Sequence, residues 1–278
     1  MSKFESNIIS IYGERGKKWL SDLPKITSET SLELGLEDLT PVKNLTQNYV
    51  MFATQNSNKL VLKIGLDIEG FKREELALKE LNNSLVPRVI QSRAGLLLLE
   101  RVIDGTTLKS STVINKIKIC CDLVSNLSDK PLLNKAQFPH IRDQLKVIDF
   151  DWDMPLELLN LARKLKDKLS SYQDQEILLH GDIYHANILR SGNSWKVIDP
   201  KGVVGYKINE VWSFVMDFEA DTKFIADYFN WDVKLVRDWY FVQLIMASIW
   251  NIEDNIKPNL FLNIAKRVYR SEFMNKYI

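Results

Sequence analysis

Cysteine is nearly absent from this 278-residue chain, with only Cys120 and Cys121, side by side in a stretch patterned as a helix. Two neighbouring thiols supply neither a disulfide framework nor a metal-ligand spacing, and a reducing cytoplasm is the expected setting. An excess of one charge is missing as well. Lys and Arg number 37 against 36 Asp and Glu, a formal +1 that offers no broad basic face to a phosphate backbone and makes nucleic acid an unexpected partner. No run approaches the ~18 uninterrupted apolar residues of a membrane span. The first residues mix charges with apolar side chains, so neither export nor anchoring is expected. There is also no Pro-, Ser- or Gly-rich linker and no repeat of fixed period.

What is present suits a folded globule: 45% hydrophobic, 10% aromatic and 26% charged residues. At ~150 residues per domain the length predicts roughly two units. Hydrophobic periodicity changes texture near residue 105. Residues 1–104 open on a helix carrying Ile8, Ile9, Ile11, Tyr12, Trp19 and Leu20 and stopped over Ser21 to Pro24. Short β-rich runs follow at 40–46, 48–55 and 58–65, then an amphipathic helix at 68–82 and two strands, Pro87 to Arg93 and Leu96 to Arg101, about the Ala94-Gly95 turn. Residues 105–278 read as helices near 112–128, 155–172, 222–230, 232–252 and 258–277, interrupted by loops and short strands over 177–205. The turn from Asp104 to Thr107 is the expected hinge, and functional residues are expected to line a cleft between lobes.

The densest chemical signal is His180-Gly-Asp182, Asn187 five positions after Asp182, and Ile198-Asp199-Pro200 twelve further on. One loop thus offers a carboxylate and an amide, and the next strand end a second carboxylate. This HGDxxxxN and IDP pattern resembles the catalytic and metal loops of the aminoglycoside phosphotransferase and choline kinase branch of the protein-kinase-like fold. The segment from Tyr12 to Pro24 and the Asp199-Pro-Lys-Gly202 turn look like those of the aminoglycoside/hydroxyurea antibiotic resistance kinases, which include streptomycin 6-phosphotransferases. The likeness runs, with gaps, from about residue 10 to about residue 215.

The resemblance implies an α+β, bilobal protein-kinase-like fold with a strand-rich N-lobe (1–104) and a mainly helical C-lobe (105–278). It implies an ATP- and Mg2+-dependent transfer of phosphate to a hydroxyl of a small molecule, an aminoglycoside or a compound such as hydroxyurea, with antibiotic resistance as the associated role. By the same resemblance Asp182 acts on the acceptor hydroxyl while Asn187 and Asp199 hold magnesium, a hard ion suited by oxygen donors. The alternatives are a catalytically silent nucleotide-binding protein on the same fold and a kinase for another metabolite, an amino alcohol or a sugar. A protein kinase ranks last, because HRD-type and APE-type motifs are missing.

A cation for the nucleotide phosphates is expected from Lys63. In Leu60-Val-Leu-Lys-Ile64 the period of two sets Leu60, Leu62 and Ile64 on one face, so Lys63 interrupts an otherwise apolar strand. Glu74 and Glu75 both fall within the helical stripe of Phe71, Leu78 and Leu81; Glu74, followed by Ala77 and Leu78 as in the resembling family, is the favoured partner. The same family lays adenine against the segment holding Glu100 and Val102. No glycine occurs between Asn44 and Val50, so no Gly-rich phosphate cradle is expected, and Thr46, Gln47 and Asn48 are the candidate donors in its place.

Recognition of a polycationic acceptor needs carboxylates, and two clusters offer them: Asp149, Asp151 and Asp153, and Asp217, Glu219 and Asp221, with Trp152 and Phe218 as apolar faces. Lys201 is a candidate contact to phosphate or substrate. Glu210 is expected either to brace the catalytic loop from behind or to complement a helix N-terminus.

Overall fold

The computed structural model describes residues 1–128, 132, 135–254 and 260–271. The elements in chain order begin with α1 (Lys3–Leu34), β1 (Glu37–Pro41), β2 (Tyr49–Gln55), β3 (Asn58–Ile64), α2 (Ile68–Glu80), β4 (Val89–Arg93) and β5 (Leu96–Glu100). They continue with α3 (Lys116–Leu127), α4 (Ile141–Leu145), α5 (Leu156–Leu169), β6 (Glu176–Leu179), β7 (Ile188–Ser191), β8 (Ser194–Val197), β9 (Val203–Tyr206), α6 (Phe218–Phe229), α7 (Val233–Glu253) and α8 (Leu260–Tyr269). Two compact units emerge: Met1–Thr107 with Ile188–Lys201, and Leu108–Asn187 with Gly202–Ile278.

The first unit is built on a five-stranded antiparallel sheet ordered β1-β2-β3-β5-β4. Its inner face buries Met51, Ala53, Leu60, Leu62, Leu96 and Leu98 with Phe4, Ile8, Trp19 and Leu23 of α1. Strand β3 pairs on both sides, Lys63 standing opposite Val50 and Leu97. Helix α2 starts where the Asp67 carboxylate accepts the Gly70 N–H at 2.8 Å and buries Phe71, Glu74, Ala77 and Leu78. Its stripe follows the expected spacing.

Three elements depart from expectation. Helix α1 runs through Ser21 to Pro24 to end at Leu34, because Trp19, Leu23, Thr30 and Leu34 continue one buried face and outweigh the hydrogen bond Pro24 cannot donate. Its break comes earlier, at Gly13 (φ 57, ψ −132), a conformation open to glycine. Strand β1 lies at 37–41 rather than 40–46: Pro41 has no N–H for the ladder, and only Val42 N–H adds one more bond, to Val50 O at 3.0 Å. The hairpin of β7 and β8, expected with the helical half, groups with the first unit. Gly105 N–H donates to Arg190 O at 3.0 Å, Arg190 N–H to Thr106 O at 2.9 Å and Val197 N–H to Leu85 O at 2.7 Å.

The second unit packs α5, α6 and α8 about α7, whose residues from Val236 to Ile249 are almost all buried. A helix apolar all round marks the centre of this unit. Strands β6 and β9 pair antiparallel and carry the loops of interest. Helix α6 begins four residues before expectation because Asp217 caps it, accepting Ala220 N–H at 2.9 Å. The helix expected over 258–277 is seen from Leu260 to Tyr269; positions 258, 259 and 272–277 lie outside the described residues. Cys120 and Cys121 are free thiols buried in α3, and burial pushes Cys121 up to about 12, which makes it inert. No helix among the described residues is long and apolar enough to cross a membrane.

Candidate active site

In the first unit Lys63 is 4% exposed and its ammonium donates to both oxygens of Glu74, at 2.6 and 2.7 Å, and to Asp199 Oδ1 at 2.9 Å. Glu75 points elsewhere, to Lys79 and Ser92. Burial alone would push the Lys63 pKa down, but Asp199 and Glu74 more than offset it and hold the ammonium above its ordinary value. The cation is therefore permanent. Asp199 itself adopts φ 62, a left-handed backbone that Asp tolerates better than most residues and that Pro200 cannot relieve. Its neighbour turn is tied to α2 by Arg73, whose Nε donates to Lys201 O at 3.0 Å. Adjacent residues of one helix thus hold both the lysine and the turn. Arg73 was not anticipated, since an exposed helical arginine carries no distinguishing spacing.

In the second unit the loop from His180 to Asn187 leaves β6 through Gly181, at φ 80. Glu210, 5% exposed, receives the N–H of His180 at 2.5 Å and of Gly181 at 3.0 Å, one on each carboxylate oxygen. The bracing role is the one the geometry supplies. Burial raises its carboxyl to about 7, the two N–H donors pull the other way, and the Asp182 charge adds a further push upward. Asn187 closes the loop: its Nδ2 donates to Asp182 O at 2.9 Å and reaches Asp182 Oδ2 at 3.4 Å. Asp182 is exposed and held at the backbone.

Both Asn187 bonds use the amide nitrogen, so Oδ1 is the atom suited to a hard cation, and Asp199 supplies a carboxylate. Each is an oxygen donor of the kind Mg2+ takes, a hard cation that binds one or two protein carboxylates and completes its shell with water and phosphate. Among the described residues no group of three or more His, Cys, Asp or Glu gathers as a metal cage.

The remaining candidates are dispersed. Glu100 ends β5, its N–H donating to Arg88 O and its carboxylate meeting Lys196 at 3.3 Å; Val102 follows and is buried. Thr46 and Gln47 lie exposed in the bend before β2 with Asn48 half-buried, and Thr46 O accepts from Asn7. Lys201 is exposed. Asp149 pairs with Lys166, Asp151 with Arg163 at 3.1 Å, and Asp153 is exposed. Asp217 is the α6 cap, Glu219 pairs with Arg237, and Asp221 accepts the N–H groups of Met216 and Asp217. Trp152 donates to Val147 O, and Arg237 covers the ring of Phe218.

A small pocket within the second unit is lined by Gly181, Asp182 and Ile183 together with Asn209, Glu210, Trp212, Gln243, Met246 and Trp250. None of the six residues of the acidic clusters lines it. Its wall comes from 209–213 and α7, stretches too far apart in sequence for any local spacing to reveal.

Residues 61–228, more than half of the chain, match the family model described as aminoglycoside/hydroxyurea antibiotic resistance kinase. Solved structures agree in fold. A thermostable mutant of aminoglycoside phosphotransferase APH(4)-Ia, in ternary complex with ADP and hygromycin B, matches at 14% identity and TM-score 0.67 over 88% of this chain and 98% of that one. Choline kinase LicA from Streptococcus pneumoniae matches at 14% identity and TM-score 0.68, over 92% and 99%. Macrolide 2'-phosphotransferase type I matches at 15% identity and TM-score 0.62, over 87% and 95%. No curated protein matches the chain.

Proposed function

We propose, from the premise that this chain belongs to the aminoglycoside/hydroxyurea antibiotic resistance kinase family and is a small-molecule phosphotransferase, that Asp182 orients and deprotonates the acceptor hydroxyl for transfer of phosphate from ATP. The observation that carries the assignment is the double clamp on its loop. Glu210 fixes the backbone before Asp182 and Asn187 fixes the residue itself, which leaves an exposed carboxylate in a set position at the edge of a pocket. Phosphoryl transfer asks little more of a protein than this positioning and a compensating positive charge.

Lys63 is the residue for that charge. Glu74 and Asp199 keep it protonated and limit its rotamers, so it meets nucleotide phosphates without reorganising. Asn187 and Asp199 are the residues that would hold Mg2+, which when bound neutralises charge on the phosphates. The backbone groups at Glu100 and Val102 are the candidate contacts for adenine, and Thr46, Gln47 and Asn48 for the phosphates.

Aminoglycosides and hydroxyurea, the classes named in the family's description, are the first acceptors to test. The assay is ADP release with product mass, run on the wild type and on Asp182→Asn. The variant should bind ATP normally and lose about 10²–10⁴-fold in turnover, the usual contribution of a general base. Wild-type turnover in a folded Asp182→Asn protein would remove Asp182 from the role.

A further inference from the structure

A second cavity, of about 200 Å³, lies within the second unit between α4, the end of α5, Tyr206 of β9 and Trp239 of α7. Its lining shares Ile141 with the pocket at Asp182 and nothing else. Helix α4 is the partition: Gln144 borders the pocket at Asp182, whereas Arg142, Leu145 and Lys146 border this one. The buried part of the lining is apolar, with Leu145 and Leu169 beside the indole of Trp239 and the ring of Tyr206.

The polar groups on this buried surface are donors. Trp239 is 4% exposed, and its Nε1–H, which cannot accept, has no hydrogen-bond partner among the described residues. A buried donor left over costs about what a lost hydrogen bond costs, and packing alone would be served as well by a phenylalanine. The Tyr206 hydroxyl accepts from Arg142, which leaves its own proton to be given away.

The charges at the mouth are unevenly answered. Lys146 holds Asp143 at 2.6 Å, and Lys166 holds Asp149 as well as Asp167, the acidic residue of the lining, at 3.7 Å. Arg142 stands 3.9 Å from Glu176, a carboxylate already bonded to Lys135 at 2.8 Å and to His140 at 3.1 Å. Its planar fork carries five N–H groups, of which Tyr206 takes one, so Arg142 keeps both charge and donors for another partner. An ammonium has no lone pair for these donors, and a neutral alcohol leaves the guanidinium charge unanswered. An ionised carboxylate is acceptor-only and answers both. Size narrows the choice further. An apolar cavity of roughly 150 Å³ accepts benzene, so this one admits a single ring with an acid group and excludes drug-sized molecules, which need about 300 Å³ or more.

We propose that this cavity is a binding site for a small aromatic carboxylate, one ring bearing one ionised acid group. The ring lies against Trp239, Tyr206, Leu145 and Leu169, and the carboxylate receives the indole N–H, the Tyr206 hydroxyl and Arg142. The site stands whether or not Asp182 is the base, since no residue of the catalytic loop lines it.

The test is calorimetry on the full-length protein, with Mg-ADP saturating throughout so that the nucleotide site is filled, comparing benzoate with benzyl alcohol, benzylamine and acetate. Benzoate should bind once per chain with a Kd at or below ~1 mM. Benzyl alcohol should bind about tenfold more weakly, and benzylamine and acetate should give no measurable heat, the first for its charge and the second for want of a ring. Trp239→Phe keeps an aromatic ring and deletes the donor, and should weaken benzoate about tenfold or more, the loss of one bond to a charged group. Arg142→Gln, at an exposed position, should weaken it by a similar factor, and if Trp239→Phe fails to fold this variant decides alone. In either folded variant the KM for ATP should stay within about twofold of the wild type.

Absence of benzoate binding, benzylamine bound as well as benzoate, or benzoate affinity unchanged in Arg142→Gln or in folded Trp239→Phe overturns the proposal.

Discussion

Lys63 and Glu210 are both buried and ionisable, one in each compact unit, but the first is answered by charge and the second by backbone dipoles. Lys63 sits between two carboxylates within 3 Å, so its ammonium cannot be titrated away at working pH. Glu210 has two N–H donors and, among the described residues, no cation paired with it; burial, with the Asp182 charge nearby, raises its carboxyl to about 7. One device fixes a charge; the other leaves it poised. A group that must meet phosphate needs the first, whereas a loop that receives an uncharged hydroxyl can be shaped by the second.

The sharpest way to break this contrast is to remove the carboxylate that serves both the lysine and the metal turn. Asp199→Ala should lower turnover by roughly 10³-fold or more, several kcal/mol of charge stabilisation, with the Mg2+ requirement altered. Magnesium titrations that superimpose on those of the wild type would place the ion elsewhere. Next in size is Lys63→Ala, which leaves Glu74 and Asp199 facing each other without their cation. Stability should fall by about 3 kcal/mol, at the low end for breaking a buried pair because Asp199 remains partly solvated. ATP affinity should fall while adenosine affinity holds, and equal loss of both in calorimetry would mean that the variant has simply misfolded.

Glu210→Gln probes the poised side through pH. Because its folded pKa lies above the unfolded value of 4.5, the native state keeps a proton that the unfolded chain releases. This stability, up to about 3 kcal/mol, is therefore complete below pH ~4.5 and is lost as the pH rises through ~7. Denaturant unfolding of the wild type should weaken between pH 5 and 8 relative to the Gln variant. Activity should run the other way, since only the ionised carboxylate accepts both N–H bonds fully, and the acid limb near pH ~7 should disappear in Glu210→Gln. Smallest of all is Glu75→Ala. Its bond to Lys79 lies at the surface, so the loss should stay within about 1 kcal/mol and leave the ATP KM untouched. A larger effect would show that the distinction between the two adjacent glutamates is misplaced.

Much of the first constellation was legible because its members declare themselves locally. Lys63 breaks a two-residue period, Glu74 lies on a helical stripe, and His180 to Asn187 is a short contiguous loop. Glu210 was noticed, but only the structure chooses between bracing and dipole roles. The pocket wall was not legible at all. Gln243 sits in a helix buried around its circumference, where the 3.6 period that normally singles out a face vanishes, and Asn209 and Trp212 join it only through tertiary packing. The acidic clusters show the complementary limit: composition displays carboxylates but not that Asp149, Asp151 and Glu219 pair with Lys166, Arg163 and Arg237. In α1, Pro24 looked like a terminator because propensity is local, whereas the buried face that carries the helix onward is not.

The grouping of Ile188–Lys201 with the first 107 residues has a consequence for biosynthesis. The strands and α1 leave the ribosome early, yet the unit they form lacks its last hairpin until 80 further residues, 108–187, have been made. At ~5–20 residues per second that interval lasts several seconds. Throughout it Lys63 has Glu74 but not Asp199, and Gly105 has no Arg190 carbonyl to donate to. A nascent chain halted anywhere short of residue 201 therefore holds an unfinished first unit, and the ion pair at Asp199 is among the last contacts of that unit that synthesis permits.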